Sequence, residues 1–340
     1  MKEDDCVQVE GLFYTYIDEC KQNYLTQIMR DKNIEVFQEY SITSLTFHQS
    51  TYQEKLEKEW KNFREKYKFD STKALHFVEF RKLLVEEERN SSNSMYKYFL
   101  IDDEFSVDTL KSFFKDLLVL IQENEFMIVH TDYYWKKGNY LVKRNKFNSL
   151  QMKNSLSRNI APNILNAIPY VAMRKHLDSL LMTLLKRYVS GESIPSARYF
   201  DEEIPKKMYT KLRFDADGRE FDARTDLKKA YNHTVAIGSD NVQQKVAIEM
   251  LDEIRFIRKE EVGSEYIPSH CGLEIVDFLC SMIAGETRLK EYKTKYTALA
   301  DVESGTFLNI RFEDGEVISF YDIVMEKIYR KTMNYLDYEQ

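Results

Sequence analysis

Glycine and proline are scarce in this chain, at 10 and 5 of 340 residues. That shortage argues against long disordered linkers, which are built largely from such residues. Positive charge is also short overall: the net charge is −7, which argues against indiscriminate binding to nucleic acid. No apolar run approaches the roughly 20 residues a membrane span needs. The opening MKEDDCVQVE is acidic and lacks the apolar core of a signal peptide. A cytoplasmic chain with no membrane partner is therefore expected. The four cysteines, Cys6, Cys20, Cys271 and Cys280, show neither C-x-x-C nor the Cys/His spacing of a zinc site, and are read as reduced, structural thiols. His270 beside Cys271 is not read as a base and nucleophile, because sequence neighbours rarely face each other productively.

Apolar and aromatic residues are plentiful, at 43% and 14%. With 340 residues the chain can bury a large core, in one elaborated domain or two. The expected fold class is α/β, and the stretch that organises it is Gly11–Cys20, GLFYTYIDEC. Its aromatic and β-branched run suits a central strand covered on both faces. The strand ends in two acids, Asp18 and Glu19, which a period of two sends to opposite faces. Only one of them faces a given site, and we take Asp18 as that one. A strand end emerging into solvent is the plainer alternative.

Further along, Asn33–His48 reads as one or two strands, hairpin-paired with the first. Thr51–Lys68 reads as an amphipathic helix with Tyr52, Leu56, Trp60, Phe63 and Tyr67 on one stripe. NSSNS at Asn90–Ser94 is a turn. Ser106 caps a second helix, and Glu125–Trp135 is a strand. A long helix is expected over Ile164–Val189, closed by Gly191. Ser196–Asp201 reads as a short strand that again ends in acids, Asp201, Glu202 and Glu203. Residues 206–245 are polar and weakly periodic, with a turn at AIGSDN; Val246–Lys259 suits a helix or a strand, with strand favoured over Glu253–Arg258. Ser269–Ala284 is a mostly apolar helix carrying Glu274 and Asp277. A carboxylate on such a helix is costly unless it is paired, hydrogen-bonded or bound to metal. Thr306–Phe320 is a hairpin with Asp314–Gly315 at its turn, and Tyr321–Tyr335 a last helix.

The charge is unevenly spread. Between Lys136 and Arg187 eleven cations face one acid, Asp178, a local net of +10 that leaves −17 for the remainder. Lys136, Lys137, Lys143, Arg144, Lys146, Lys153 and Arg158 are interleaved with Tyr140, Phe147, Asn145 and Gln151. Phosphate contacts combined with base stacking hold single strands in this way. The alternative is a solvated basic loop whose charges disperse on folding.

Two strand-end acids and one acid on a late apolar helix compose a two-metal site, in which carboxylates hold Mg²⁺ or Mn²⁺ ions about 4 Å apart for phosphodiester hydrolysis. Asp18, Asp201 and Asp277 are the expected ligands, with Glu19, Glu202 and Glu274 as further acids.

These stretches together resemble a family. YIDEC at Tyr16–Cys20 is similar to its opening Tyr-Ile-Asp-Glu-Ser-Gly strand, and GLEIVDFLCSMIAG at Gly272–Gly285 resembles its closing Gln-Leu-Ala-Asp-Leu-Ile-Ala-Gly helix. ALHFVEFRK at Ala74–Lys82 resembles its Leu-His-x-x-Glu/Asp segment, IPYVAMRKHLDSLL at Ile168–Leu181 its helix after the third strand, and SARYFDE its Ile-Asp-Glu strand. The family is that of domain of unknown function 3800. The resemblance implies a ribonuclease H-like mixed sheet flanked by helices over residues 1–286, followed by a hairpin-and-helix appendix over 287–340. It implies metal-dependent nuclease chemistry on DNA or RNA, set in phage defence or a mobile element, and places His76 and Glu79 near the site. Cys20 and Lys21 stand where the family has Ser and Gly, and Glu274 where it has Gln. An inactive scaffold or sensor subunit that binds nucleic acid or a protein partner, or a homo-oligomer, is the competing expectation.

Overall fold

Leu12–Cys20 forms β1, and the computed structural model puts it inside a six-stranded mixed sheet. The structure describes residues 12–20, 25–34, 37–70, 73–136, 164–188, 209–215, 221–257 and 271–335. After β1 come a short helix α1 (Thr26–Asp31) and the single strand β2 (Phe37–His48), which runs antiparallel to β1 with Asp18 opposite Thr43. A π-helical turn, Thr51–Leu56, leads into α2 (Glu57–Lys66). Its expected stripe, Tyr52, Leu56, Trp60, Phe63 and Tyr67, is buried throughout. Next are α3 (Phe77–Leu83), the turns at 90–95 and the two-residue strands β3 (Leu100–Ile101) and β4 (Glu104–Phe105). Ser106 caps α4 (Val107–Glu123) by accepting the Thr109 N–H at 3.1 Å. Strand β5 (Met127–Lys136) lies antiparallel to β2.

The long helix α5 (Ile164–Tyr188) carries Pro169 within its first turns. The polar stretch that follows resolves into a strand and a helix, β6 (Tyr209–Asp215) and α6 (Phe221–Ile237). Helix α7 (Gln244–Met250) and strand β7 (Leu251–Ile257) divide the ambiguous segment between both of its readings. Gly238, at φ +81°, makes the turn from α6 to α7, where a Cβ would sit 2.4 Å from the Val242 carbonyl oxygen. Helix α8 (Cys271–Lys295) runs a further three turns past the expected end and crosses position 286 unbroken. The expected hairpin is β8 (Asn309–Arg311) and β9 (Val317–Ser319), with Gly315 at φ +87° in its turn. The last helix, α9 (Tyr321–Lys327), stops short of expectation, and β10 (Ile328–Tyr335) is a strand that pairs parallel with β5. The C-terminal segment therefore supplies an edge of the main sheet. Among the described residues no helix is long and apolar enough to cross a membrane.

The strand order is β10-β5-β2-β1-β6-β7, with β6 parallel to β1 and β7 parallel to β6. Each face has its own core. On one, Phe13, Ile17, Val129, Leu212 and Phe214 pack against Leu177, Leu180, Leu181 and Leu184 of α5. On the other, Tyr16, Leu45 and Phe47 meet α8 and an aromatic layer in which Phe113 touches Phe63, Tyr67, Phe69, Phe80, Phe99, Phe114 and Phe278. Beyond that layer the α8 face turns polar. The Arg288 guanidinium is fully buried between Glu39, at 2.8 Å, and Asp132, at 3.1 Å. Ser41 and Tyr292 donate or accept within the same group, and His130 sits beside it, bonded to Thr43 at 2.9 Å and Thr287 at 3.2 Å.

Candidate metal centre

The C-terminal ends of two neighbouring parallel strands and the first turns of α8 converge on one spot. Along β1, the side chains Tyr14, Tyr16, Asp18 and Cys20 alternate toward α8, while Phe13, Ile17 and Glu19 point to the α5 side. Along β6, Leu212 and Phe214 go to the α5 core, so Lys211, Arg213 and Asp215 take the α8 side. The pairing sets Tyr16 beside Arg213 and Ile17 beside Phe214, and its next step brings Asp18 beside Asp215. Helix α8 comes close enough to complete the group because Gly272 has no side chain: a Cβ there would lie 2.2 Å from the Tyr16 ring. Cys280, one turn beyond Asp277, donates to the Asp18 carbonyl oxygen at 3.6 Å and packs on Cys20.

Asp18, Asp215 and Asp277 thus each bring a carboxylate oxygen within 4.8 Å of the others, all three half-buried. Asp18 Oδ1 accepts the Glu19 N–H at 2.8 Å. Asp277, whose side chain is 17% exposed, accepts the Phe77 N–H at 3.1 Å on Oδ1 and meets His76 Nδ1 at 3.1 Å on Oδ2. It therefore serves the N-terminus of α3 as well as the cluster. Arg213, two residues before Asp215 on the same face, is tied at 2.7 Å to Glu253 of β7.

The donor set is all oxygen. Three carboxylates this close repel one another when ionised, and a small hard cation offsets that repulsion with the oxygen ligands Mg²⁺ and Mn²⁺ favour. The neighbouring thiols do not suit a soft metal, because burial pushes Cys280 well above the ordinary thiol range, with the Asp18 charge adding to the effect.

Of the acids expected from the sequence, Asp18 and Asp277 are brought together. Asp201 and Glu202 lie outside the described residues; the strand that pairs with β1 and ends in an acid is β6, and its acid is Asp215. Glu19 is turned to the opposite face, where it accepts the Tyr40 hydroxyl. Glu274 is fully buried and both its oxygens are taken, by Arg64 at 2.7 Å, Leu75 N–H at 2.7 Å and Trp60 Nε1 at 2.6 Å; its place is in a buried ion pair rather than in the cluster. His76 reaches Asp277, whereas Glu79 sits in the first turn of α3, paired with Lys82 at 3.3 Å. Of the basic tract, Lys136 ends β5, and Lys137, Lys143, Arg144, Lys146, Lys153 and Arg158 lie outside the described residues. Arg174 and Lys175, farther along, are structural: Arg174 donates to the Gly238 carbonyl at 2.7 Å and Lys175 pairs with Asp240.

Asp215 had a signal in the sequence. YTKLRFD alternates polar and apolar residues and ends in an acid, the pattern of a half-buried strand. Comparison with protein-family models, with curated proteins and with solved structures finds no match to the chain.

Proposed function

We propose that this chain is a ribonuclease H-like, metal-dependent nuclease in which Asp18, Asp215 and Asp277 hold Mg²⁺ or Mn²⁺ and hydrolyse phosphodiester bonds of DNA or RNA. The observation that carries the reading is the convergence of three carboxylates from three separate elements within 4.8 Å. The topology supports it. An antiparallel run, β1, β2 and β5, is extended on the far side of β1 by two parallel strands, the arrangement expected of a ribonuclease H-like sheet.

A bound divalent ion would neutralise charge on the phosphate and activate a water for attack. The chain's own part is to bind and aim. Strand pairing sets the backbones of Asp18 and Asp215, Asp18 opposite Thr43 of β2 and Asp215 beside Ile257 of β7, so that both side chains leave the sheet on the α8 face. Asp277 is aimed by the Phe77 N–H and His76. The basic tract from Lys136 to Arg158 belongs to the same proposal as the grip on the polyanion, on charge and aromatic content alone.

The test is cleavage of labelled single- and double-stranded DNA and RNA with Mn²⁺ or with EDTA, wild type beside Asp215→Asn. Metal-dependent cutting that the substitution abolishes is expected, together with loss of the Mn²⁺-induced rise in Tm that binding to the native state produces. If pure wild type neither cuts nor gains thermal stability, the chain is the non-catalytic scaffold or sensor instead.

A further inference from the structure

Glu274 and Asp277 are one turn apart on α8, and both grip the segment that leads into α3. Glu274 accepts the Leu75 N–H and Asp277 the Phe77 N–H. His76 between them is extended, at φ −121° and ψ 127°, which turns the amides of 75 and 77 to the same side. Arg64 extends the grip. Its Nη1 is bound to Glu274, while Nη2 donates to the carbonyls of Asp70 at 2.8 Å and Lys73 at 2.7 Å. Trp60 Nε1 closes the set on the second Glu274 oxygen. Burying such a pair is a poor route to stability, since apolar residues of equal volume serve as well or better. What the pair does here is fix a backbone in register, and the residue so placed is His76.

We infer that Glu274 is a positioning residue for the carboxylate cluster: with Arg64 it sets the backbone at Asp70, Lys73 and Leu75 so that His76 holds Asp277 toward Asp18 and Asp215. This rests on the cation-site reading above for its functional meaning. An ionised carboxylate only accepts, so a neutral His76 carries its proton on Nδ1, where it faces Asp277. Hydrogen-bond partners that orient ligands in this way alter metal affinity by about 10- to 100-fold when removed.

The experiment compares wild type, Glu274→Ala, Glu274→Gln and Arg64→Lys by two readouts on the folded protein. The first is the His76 ring tautomer in the metal-free chain at pH 8, by nitrogen-15 NMR, its signal identified by loss in His76→Gln. The second is Mn²⁺ affinity by calorimetry. Wild type is expected as the Nδ1–H tautomer. Glu274→Ala should lose that preference and bind Mn²⁺ about tenfold more weakly. Glu274→Gln keeps an acceptor for Leu75 and Arg64 but turns an amide donor onto the Trp60 N–H, and should recover part of both. Should Glu274→Ala fail to fold, Arg64→Lys keeps the charge but cannot span both carbonyls, and should show the same two losses. An unchanged tautomer and unchanged Mn²⁺ affinity in folded variants, with only Tm lowered, would overturn the inference. Wild type that binds no Mn²⁺ removes the cation-site reading, and the tautomer comparison still decides whether Glu274 positions His76.

Discussion

Glu39→Gln tests the buried polar group on the α8 face. Arg288 is one cation between two carboxylates, Glu39 and Asp132, with the pairs fully enclosed. Such a group carries one negative charge in excess unless it takes up a proton, on a carboxyl or on His130 beside it. Burial pushes Glu39 up to about 7, Arg288 opposing and the Asp132 charge adding to the rise. Burial also works to raise Asp132, but Arg288 and His130 more than offset it and hold that carboxyl below its usual range. As pH falls, Glu39 is therefore the carboxyl of the two that takes up a proton first.

A carboxyl whose pKa is raised by folding contributes its stability below its unfolded value, about 4.5, and loses it as pH climbs to about 7. The difference between those values corresponds to about 3 kcal/mol at pH 8. Glutamine imitates the protonated acid at every pH. Glu39→Gln should lie within about 1 kcal/mol of wild type at pH 5 and exceed it by about 3 kcal/mol at pH 8, read by urea denaturation at both pH values. His176 acts in the opposite sense in part of this window, so the quantity to compare is variant minus wild type, in which His176 cancels. A variant that gains nothing at pH 8 relative to pH 5 would refute the placement of the proton.

Other substitutions probe the remaining layers. His176 is fully buried, bonded to Thr131 at 3.1 Å, and burial pushes it down to about 3, with His130 adding to the shift. Its contribution is present above the unfolded value of about 6.5 and falls by about 1.4 kcal/mol per pH unit below it, so His176→Gln should flatten the acid side of the stability profile. Phe113→Ala should cost about 3–5 kcal/mol in chemical denaturation, because that ring stacks on Phe80 at 4.6 Å and touches six other aromatics. Gly272→Ala drives a methyl into the Tyr16 ring, so α8 must shift away from β1. The expected result is a smaller Mn²⁺-induced rise in Tm than wild type gives, with the helix content by circular dichroism unchanged.

Local patterns in the chain were enough to determine several parts of this protein. The unbroken β-forming run made β1 the centre of the sheet, because only a strand covered on both faces needs apolar residues at every position. The five-residue stripe from Tyr52 to Tyr67, the Ser106 cap and the Asp314–Gly315 turn are contacts within a few residues, written in their spacing. Asp18 and Asp277 stood out because acids on apolar elements are costly. Tertiary structure alone decided the rest. The choice of Asp215 depends on β6 pairing with β1 across some 200 residues, which a strand with one polar face does not announce. Glu274 became an anchor only because Arg64, 210 residues away, folds against it. The tail 328–335 became a strand because β5 offered it an open edge. Short-range spacing encodes which residues share a face. Which faces meet is set by long-range pairing, whose partners no local pattern contains.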